Sequence, residues 1–166
     1  YIFVSDVDRS VRFYTDAFGF KVTEEAQYRG EKAVYLRAGS EHHSLGLISA
    51  GLKERLGCRP DTSLMAFGLE VATYQQLKDA VGFLKENGVA LKEIPQEPHP
   101  GIDYAACARD PEGHLFLLYC YMEQIGWDGR PRPKEQRRRV EPGQWPEALE
   151  PLVDTYADAP FMGPLG

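Results

Sequence analysis

Hydrophobic residues recur along the chain in two similar blocks, each of which predicts a strand, a helix and further strands. In the first block a short apolar segment beginning at Ile2 leads into a stretch whose apolar residues share one helical face. An oxygen of Asp6 or Asp8 can cap the start of that helix, and Gly19 stands where a left-handed turn ends it. The residues on the predicted buried face are Val7, Val11, Tyr14 and Phe18.

The same order of elements returns in the second block. Residues 64–71 read as a strand and lead into a capping box at residues 73–76. Gly88 follows the predicted helix as its terminator. The residues on the buried face of this helix are Tyr74, Leu77, Val81 and Leu84.

Each predicted helix is followed by three segments of strand-like composition. These are residues 20–23, 33–38 and 44–49 in the first block, and residues 91–94, 104–108 and 114–121 in the second. Both blocks therefore predict a βαβββ module, within residues 1–50 and 62–121, and the fold class is α+β. Because each module alone would leave one sheet face in water, we expect the two to pack together as one domain, residues 1–127.

The chain changes character after the second block. Residues 128–166 form a turn-rich, proline-rich arm, and five of the prolines fall in residues 141–166. Residues 145–156 could form a short helix, since Pro146 would lie near its start, where a missing N–H costs little. We expect this arm to pack over the domain or over a dimer partner, because it has too little apolar content to fold alone.

Composition narrows the classes of function. Hydrophobic residues make up 43% of the 166 residues and the formal net charge is −6, which argues against disorder and against nucleic acid as a partner. The three cysteines form no CxxC pair, so neither a zinc ribbon nor a disulfide framework is indicated, and we expect a cytoplasmic protein. Apolar runs are too short to predict a membrane span. The chain begins inside a strand at Tyr1, so we expect it to be truncated at its start, and a targeting signal could have been lost there.

Three motifs, in this order, carry a resemblance to a known family. They are VSDVDRSVRFY at residues 4–14, EHHSLGL at residues 41–47 and DPEGHL at residues 110–115. On a duplicated βαβββ pattern they resemble the vicinal-oxygen-chelate superfamily, which contains glyoxalases, bleomycin resistance proteins and type I extradiol dioxygenases. The nearest members by motif are similar to catechol 2,3-dioxygenases. The resemblance covers about residues 1–121 and leaves out the arm.

The resemblance implies a specific architecture and site. Two modules pair their curved mixed sheets around an open cleft, and the first and last strand of each module supply the ligands of a metal in that cleft. In extradiol dioxygenases two histidines and a glutamate hold iron or manganese, which leaves positions free for a catechol and dioxygen. The resemblance also leads us to expect a homodimer.

The ligand places of the family carry over poorly to this sequence. The first place would lie two residues before Tyr1, and the others fall near Gly46, at Leu64 and at Leu117. A tyrosine that dioxygenases keep on the preceding strand falls near Cys107. Since leucine has no lone pair and glycine offers only its backbone, we expect a degenerate site with no metal and an apolar cleft floor.

Other polar residues are candidates for the cleft. His42 and His43 are adjacent, so on a strand at most one of them, which we take as His43, faces the cleft. Tyr104 is a candidate at the cleft mouth, and His99 lies on a loop that corresponds to the one bearing an acid–base histidine in extradiol enzymes. His114 reads more simply as a turn residue, and a surface role is the plain alternative for each histidine.

Two main functions and one weaker function remain open. The first is a binding protein that holds a small aromatic or hydrophobic molecule in a metal-free cleft lined by His43, Leu64, Tyr104, Cys107 and Leu117. The alternative is an extradiol, catechol 2,3-dioxygenase-like enzyme that holds Fe(II) or Mn(II) through unconventional ligands such as His43. The third is metal-free acid–base catalysis by His99. Whether the chain is an enzyme is therefore left open, and no nucleic acid or membrane is expected as a partner.

Overall fold

The computed structural model describes residues 1–92, 102–125, 129–131, 138–140, 143 and 145–148. Within these residues two four-stranded mixed sheets each associate with one α-helix, so the chain has the predicted α+β class. Neither described helix has the length and apolar character that crossing a membrane requires.

The first module contains one sheet and the helix α1. Its elements are β1 (Ile2–Val4), α1 (Val7–Phe18), β2 (Lys21–Tyr28), β3 (Glu31–Arg37) and β4 (Leu45–Ser49), followed by a short 3₁₀ turn at Ala50–Leu52. The strand order is β1-β4-β3-β2, and β1 runs parallel to β4. The predicted helix ends are confirmed, since Asp6 accepts a hydrogen bond from the Arg9 amide at 2.9 Å and Gly19 has φ of 70°.

The second module repeats this plan. Its elements are β5 (Ala66–Glu70), α2 (Tyr74–Glu86), β6 (Ile102–Arg109) and β7 (Leu115–Met122), to which β8 (Arg138–Val140) is added from the arm. The strand order is β5-β7-β6-β8, and β5 runs parallel to β7. Thr73 caps α2 by accepting from the Gln76 amide at 3.1 Å. Of the strand expected at residues 91–94, Lys92 forms a single bridge to Cys107, and residues 93–94 lie outside the described part.

The two modules meet along their first strands. Ile2 forms an antiparallel bridge with Leu64, the amide of Phe3 donates to the Ser63 carbonyl at 2.7 Å, and the Met65 amide donates to the Tyr1 carbonyl at 3.0 Å. These bonds set the start of β1 beside the start of β5. The first strands of the two modules are thereby held next to each other, which places the parallel last strands β4 and β7 on either side.

The hydrophobic core lies between the two modules, where each buries one face of its sheet against the other. β3 is buried on both faces, because alternate residues point toward the other module and toward α1. The shared cluster contains residues from the seven strands β1 to β7, the 3₁₀ turn and the segment before β5: Phe3, Ala26, Ala33, Tyr35, Ile48, Leu52, Met65, Ala66, Ala105, Cys107, Leu115 and Leu117. Because this cluster draws on both halves, each module completes the core of the other.

A described part of the arm lies against α2. The hydroxyl of Tyr74 donates to the Pro146 carbonyl at 2.6 Å, the Lys78 ammonium donates to the Glu147 carbonyl at 2.8 Å, and the ring centroids of Tyr74 and Trp145 are 5.9 Å apart. Residues 145–148 are not helical, and the rest of the helix expected at residues 145–156 lies outside the described residues. This part of the arm therefore covers the start of α2.

Candidate functional site

A cavity of about 140 Å³ opens at the junction of the two modules. On the side of the first module it is bordered by Tyr1 and Gly46, and on the side of the second by Gly68 and Leu117, which are paired directly across β5 and β7. The first and last strands of both modules thus converge on one space. The complete lining is Tyr1, His43, Ser44, Gly46, Gly68, Leu117, Tyr119 and Met122.

These are the strands on which the family resemblance places a metal site. Gly46 and Gly68 have no side chain and Leu117 has no lone pair, so three of the four facing positions offer a metal ion no side-chain ligand. The lining also contains the phenol oxygen of Tyr1 and the imidazole of His43. Across the described residues no group of three or more His, Cys, Asp or Glu side chains is arranged to hold a metal ion. The residues present therefore do not fit the metal that the resemblance implies.

Three buried polar side chains and the partly buried Tyr1 form a continuous hydrogen-bonded chain behind the cavity, which we call the relay. The hydroxyl of Tyr1 lies 2.7 Å from Nε2 of His43, and Nδ1 of His43 lies 3.2 Å from Nδ1 of His42. Nε2 of His42 then lies 3.1 Å from Oε2 of Glu24. His42 is 0% exposed, and His43 and Glu24 are 8% and 9% exposed. The relay therefore runs from the cavity wall into the interior of the first module.

A β-bulge in β2 turns Glu24 inward. Pairing with β3 shifts register between Val22 and Glu24, and the consecutive residues Thr23 and Glu24 are both buried whereas Glu25 is exposed. A bulge inserts an extra residue into one strand and can re-aim a side chain in this way. Regular alternation would have placed Thr23 and Glu24 on opposite faces, so the carboxylate reaches His42 only because the strand is irregular.

The two histidines precede β4 in a bend, and this changes their relationship. Adjacent residues on a strand would point apart, but the rings of His42 and His43 come within hydrogen-bonding distance because β4 begins only at Leu45. The amide of His42 donates to the carbonyl of Glu123 at 2.7 Å, and Glu123 is itself 0% exposed. A second carboxyl residue is therefore anchored beside the relay by its backbone.

The opposite wall of the cavity is mainly apolar. Leu117 and Met122 contribute hydrocarbon and a thioether, and Tyr119 contributes a ring. Burial raises the pKa of the Tyr119 phenol, and the nearby carboxylates of Glu70 and Glu41 act in the same direction. Tyr119 is therefore held as the neutral phenol at physiological pH.

The structure brings together some of the residues singled out from the sequence. His43 and Leu117 both line the cavity. Leu64 lies at the junction of the modules, where it bridges Ile2, and Cys107 is 1% exposed within the shared core cluster.

Three further residues considered from the sequence lie away from the cavity or beyond the described part. Tyr104 packs edge-on against Tyr74 of α2, with ring centroids 5.9 Å apart, so it faces the helix layer. Nδ1 of His114 lies 3.1 Å from Oδ2 of Asp110, and His114 belongs to the turn before β7. The predicted acid–base residue His99 lies outside the described residues.

Sequence reasoning missed several residues that the structure places at the site: Tyr1, Glu24, Ser44, Gly68, Tyr119 and Met122. A signal for Gly68 existed in the internal repeat, since Tyr1 and Gly68 stand the same number of residues before the caps Asp6 and Thr73. Aligning the modules on their caps, instead of on their apolar runs, pairs Gly68 with Tyr1. No local pattern points to Glu24, because it follows the predicted strand at residues 20–23.

Comparison with known proteins identifies the family. The model of the glyoxalase/bleomycin resistance protein/dioxygenase superfamily matches residues 1–118. The chain belongs to this superfamily. The match spans both modules and ends within β7, which agrees with the resemblance carried by the three sequence motifs. A search of curated protein sequences found no match.

Solved structures with the same fold include several extradiol dioxygenases. The 2,2′,3-trihydroxybiphenyl 1,2-dioxygenase of Sphingomonas wittichii strain RW1 matches with a TM-score of 0.61 and 20% identity, over 90% of this chain and 49% of that one. Homoprotocatechuate 2,3-dioxygenase of Arthrobacter globiformis matches with a TM-score of 0.57 and 26% identity, over 75% of this chain and 35% of that one. This superfamily member therefore spans about half or less of the length of these enzymes.

Proposed function

We propose that this superfamily member is a small-molecule binding protein that holds a single-ring aromatic compound in the junction cavity without a metal. The observation that carries the proposal is the lining of that cavity: Gly46, Gly68 and Leu117 stand on the strands where relatives would hold an ion. A ring can occupy space that these residues leave open, whereas an ion there would lack ligands.

The size of the cavity favours one ring. Its volume is about 140 Å³, and an apolar protein cavity of about 150 Å³ is known to hold benzene. A fused two-ring compound would require the walls to move apart. Gly68 borders the cavity, and because it has no side chain, β5 lies close to the Tyr119 ring. The second-module wall therefore has little space into which it could move.

The two walls of the cavity favour one orientation of the ligand. Tyr1 and His43 form a polar end, and Leu117 and Met122 form an apolar end. A ring with one polar substituent satisfies both walls when the substituent points toward Tyr1. The similar dioxygenases are named for a trihydroxybiphenyl and for homoprotocatechuate, which supports an aromatic ligand class for this fold.

Calorimetric titration with toluene, phenol and naphthalene, in buffer containing a chelator, tests the proposal. We expect the single-ring compounds to bind and naphthalene to bind at least about tenfold more weakly, since a mismatched ring cannot enter without displacing the packed walls. Gly68→Leu should abolish binding by filling the cavity, whereas Gly82→Leu, at an open position of α2, should retain it. Stoichiometric iron or manganese in protein purified without chelator would overturn the metal-free proposal.

The second candidate is an extradiol dioxygenase-like enzyme that uses Fe(II) or Mn(II). It is favoured by the dioxygenase names of the similar structures and by His43, which borders the cavity and could act as one ligand. Metal analysis followed by an assay for oxygen-dependent cleavage of catechol distinguishes it from the binding protein. A homodimer, proposed from the family resemblance alone, is tested by sedimentation equilibrium.

A further inference from the structure

Two aromatic side chains at the end of α1 are exposed to solvent. Phe13 is 57% exposed and Phe18 is 64% exposed, and their ring centroids lie 5.7 Å apart. Both rings also lie beside Tyr14, with centroids 5.3 Å and 6.0 Å from it. Contiguous apolar surface of this kind marks interaction sites, whereas apolar residues scattered singly do not. We call Phe13, Tyr14 and Phe18 the aromatic ridge.

A groove lies beside the first half of the same helix, and we call it the α1 groove. Its volume is about 330 Å³. Ile2 and Val4 of β1 contribute to its apolar lining, and Arg9, Ser10 and Phe13 border it from α1. Ile2 and Val4 are both partly exposed, because α1 does not cover the whole of β1. The groove and the aromatic ridge therefore adjoin on one side of α1, the groove toward its start and the ridge toward its end.

Two residues of opposite charge stand on the same stripe of α1, on either side of Phe13. Arg9 and Asp16 are seven residues apart, which is close to two helical turns, so their side chains point the same way about 10 Å apart along the axis. Both residues are exposed. Within the part of the chain that the structure describes, neither takes part in a salt bridge. The stripe is therefore basic beside the groove and acidic beside the ridge.

A stripe with this order of charges is complementary to a second copy of itself. When two copies of α1 pack antiparallel about a two-fold axis through the middle of the helix, Arg9 of each lies opposite Asp16 of the other. The same rotation carries each Phe18 over the start of the other helix, beside the groove. Arg12 lies on another side of α1, where its charge acts on Asp8. Antiparallel packing of α1 therefore matches both opposite charges and ridge to groove, and each contact is made twice.

We propose that two copies of this chain associate through antiparallel α1 helices, with the aromatic ridge of each copy seated in the α1 groove of the other. The inference rests on the homodimer of the proposed function and adds the surface that forms it. α1 has 12 residues and is therefore about 18 Å long, which makes the contact small beside the roughly 800 Å² that each partner buries in a typical specific interface. We therefore expect a dimer that dissociates in the micromolar range.

Sedimentation equilibrium over a series of concentrations tests the aromatic contact. We expect wild type to pass from monomer to dimer, and Phe18→Ser to raise the dissociation constant at least about tenfold, the effect of removing one aromatic anchor. Phe83→Ser is the matched control, since Phe83 on α2 is also 64% exposed, and it should dimerise as wild type does. Circular dichroism should show that both variants are folded, because neither side chain is part of the core.

A charge exchange tests the antiparallel order. Arg9→Asp sets like charges opposite each other at both contacts, and so does Asp16→Arg, so each variant alone should raise the dissociation constant at least about tenfold. Each substitution complements the helix dipole, an acidic residue near the start and a basic one near the end, so α1 itself should not be weakened. In an equimolar mixture the two variants face each other with opposite charges at both contacts. The mixture should therefore form heterodimers about as tightly as wild type forms homodimers.

The outcomes separate this surface from the homodimer itself. If wild type stays monomeric throughout the micromolar range, the homodimer and the α1 surface both fail, while ring binding in the junction cavity is judged by its own titration. If wild type dimerises and Phe18→Ser dimerises equally well, the homodimer stands on another surface and this inference is overturned. If the mixture of Arg9→Asp and Asp16→Arg is no tighter than either variant alone, the antiparallel pairing is wrong and the inference is also overturned.

Discussion

The two modules present the same strands to the cavity but different chemistry. In the first module the cavity is bordered by Tyr1 and His43, which are backed by the buried pair His42 and Glu24. In the second module the matching strands present glycine and hydrocarbon, and Leu117 continues into the apolar core. The repeated backbone therefore creates the cavity, and unequal substitution of its two halves creates a polar end and an apolar end.

The comparison shows where buried polarity is concentrated. Burying a polar or charged group costs free energy unless it is hydrogen-bonded or paired, so an isolated buried histidine would be disfavoured. In the first module the cost is offset because Glu24, His42, His43 and Tyr1 satisfy one another in sequence. At the cavity, the second module avoids the cost because Gly68 and Leu117 carry no polar side chain. Function that needs a proton or a hydrogen bond should therefore depend on the first module.

The largest effect is expected from breaking the buried pair of the first module. His42→Leu removes the 3.1 Å contact between His42 and the buried Glu24 carboxyl, so we expect the free energy of unfolding to fall by about 3 kcal/mol or more. The double variant with Glu24→Leu should recover most of this loss, because it removes both polar groups together. Urea unfolding measures both values. Equal stability of the single and double variants would contradict the pairing.

A smaller loss is expected from the apolar side. Leu117 is 4% exposed, and Leu117→Ala should lower the free energy of unfolding by about 2–3 kcal/mol, near the low end for a buried leucine because one side already borders a cavity. The enlarged cavity should also admit naphthalene. Leu69→Ala is the control, since Leu69 on β5 is 49% exposed and should cost much less. Unchanged exclusion of naphthalene would show that Leu117 does not limit the cavity.

A methyl group at Gly46 tests the polar end without removing any polar atom. A Cβ there would lie 2.5 Å from Cδ1 of Tyr1, so the Tyr1 ring must move away from His43. We expect Gly46→Ala to weaken phenol binding by about tenfold, the value of one misplaced hydrogen bond. Gly82→Ala meets nothing within 4 Å on α2 and should leave binding unchanged. Isothermal titration calorimetry with phenol measures the difference.

The smallest effect is expected from the salt bridge between Asp8 of α1 and Lys32 of β3. The hydrogen bond and charge of Lys32, 2.8 Å away, lower the pKa of Asp8 below its ordinary value of 3.8. A carboxylate whose pKa is lower in the folded state stabilises the fold above its ordinary pKa, and this stabilisation is lost as pH falls below it. Asp8→Asn should therefore lower the melting temperature slightly at pH 7, and the difference from wild type should shrink as pH falls from 3.8 through the lowered pKa of Asp8. Asp16→Asn on the same helix is the control at pH 7, where it should change the melting temperature less.

Local patterns in the sequence predicted much of the fold. Both helices begin at the predicted caps, because Asp6 and Thr73 accept the amide bonds expected of them. The α+β class and the two modules followed from repetition of the same pattern. β8 was not predicted, because residues 138–140 sit in a charged, proline-rich arm and gain their strand partner only when β6 is in place.

The candidate site was predicted in part. His43 and Leu117 were singled out from the sequence, and both border the cavity. Leu64 instead lies at the module junction, and Tyr104 packs against α2. Glu24 escaped notice because a bulge in β2 decides which way it points. A bulge depends on the pairing of two strands, so the strand's own alternation does not reveal it.

By itself the sequence determined the repeated modules, the ends of their helices and the absence of metal-binding side chains at Gly46 and Leu117. These features depend on the period of apolar residues, on capping and on residue identity, all of which are local. Only the tertiary structure decided that Tyr1, His43, His42 and Glu24 form one hydrogen-bonded chain and that Gly68 faces Leu117. Those contacts join residues far apart in the chain, and they exist because strand register, a bulge and the packing of two modules bring them within bonding distance.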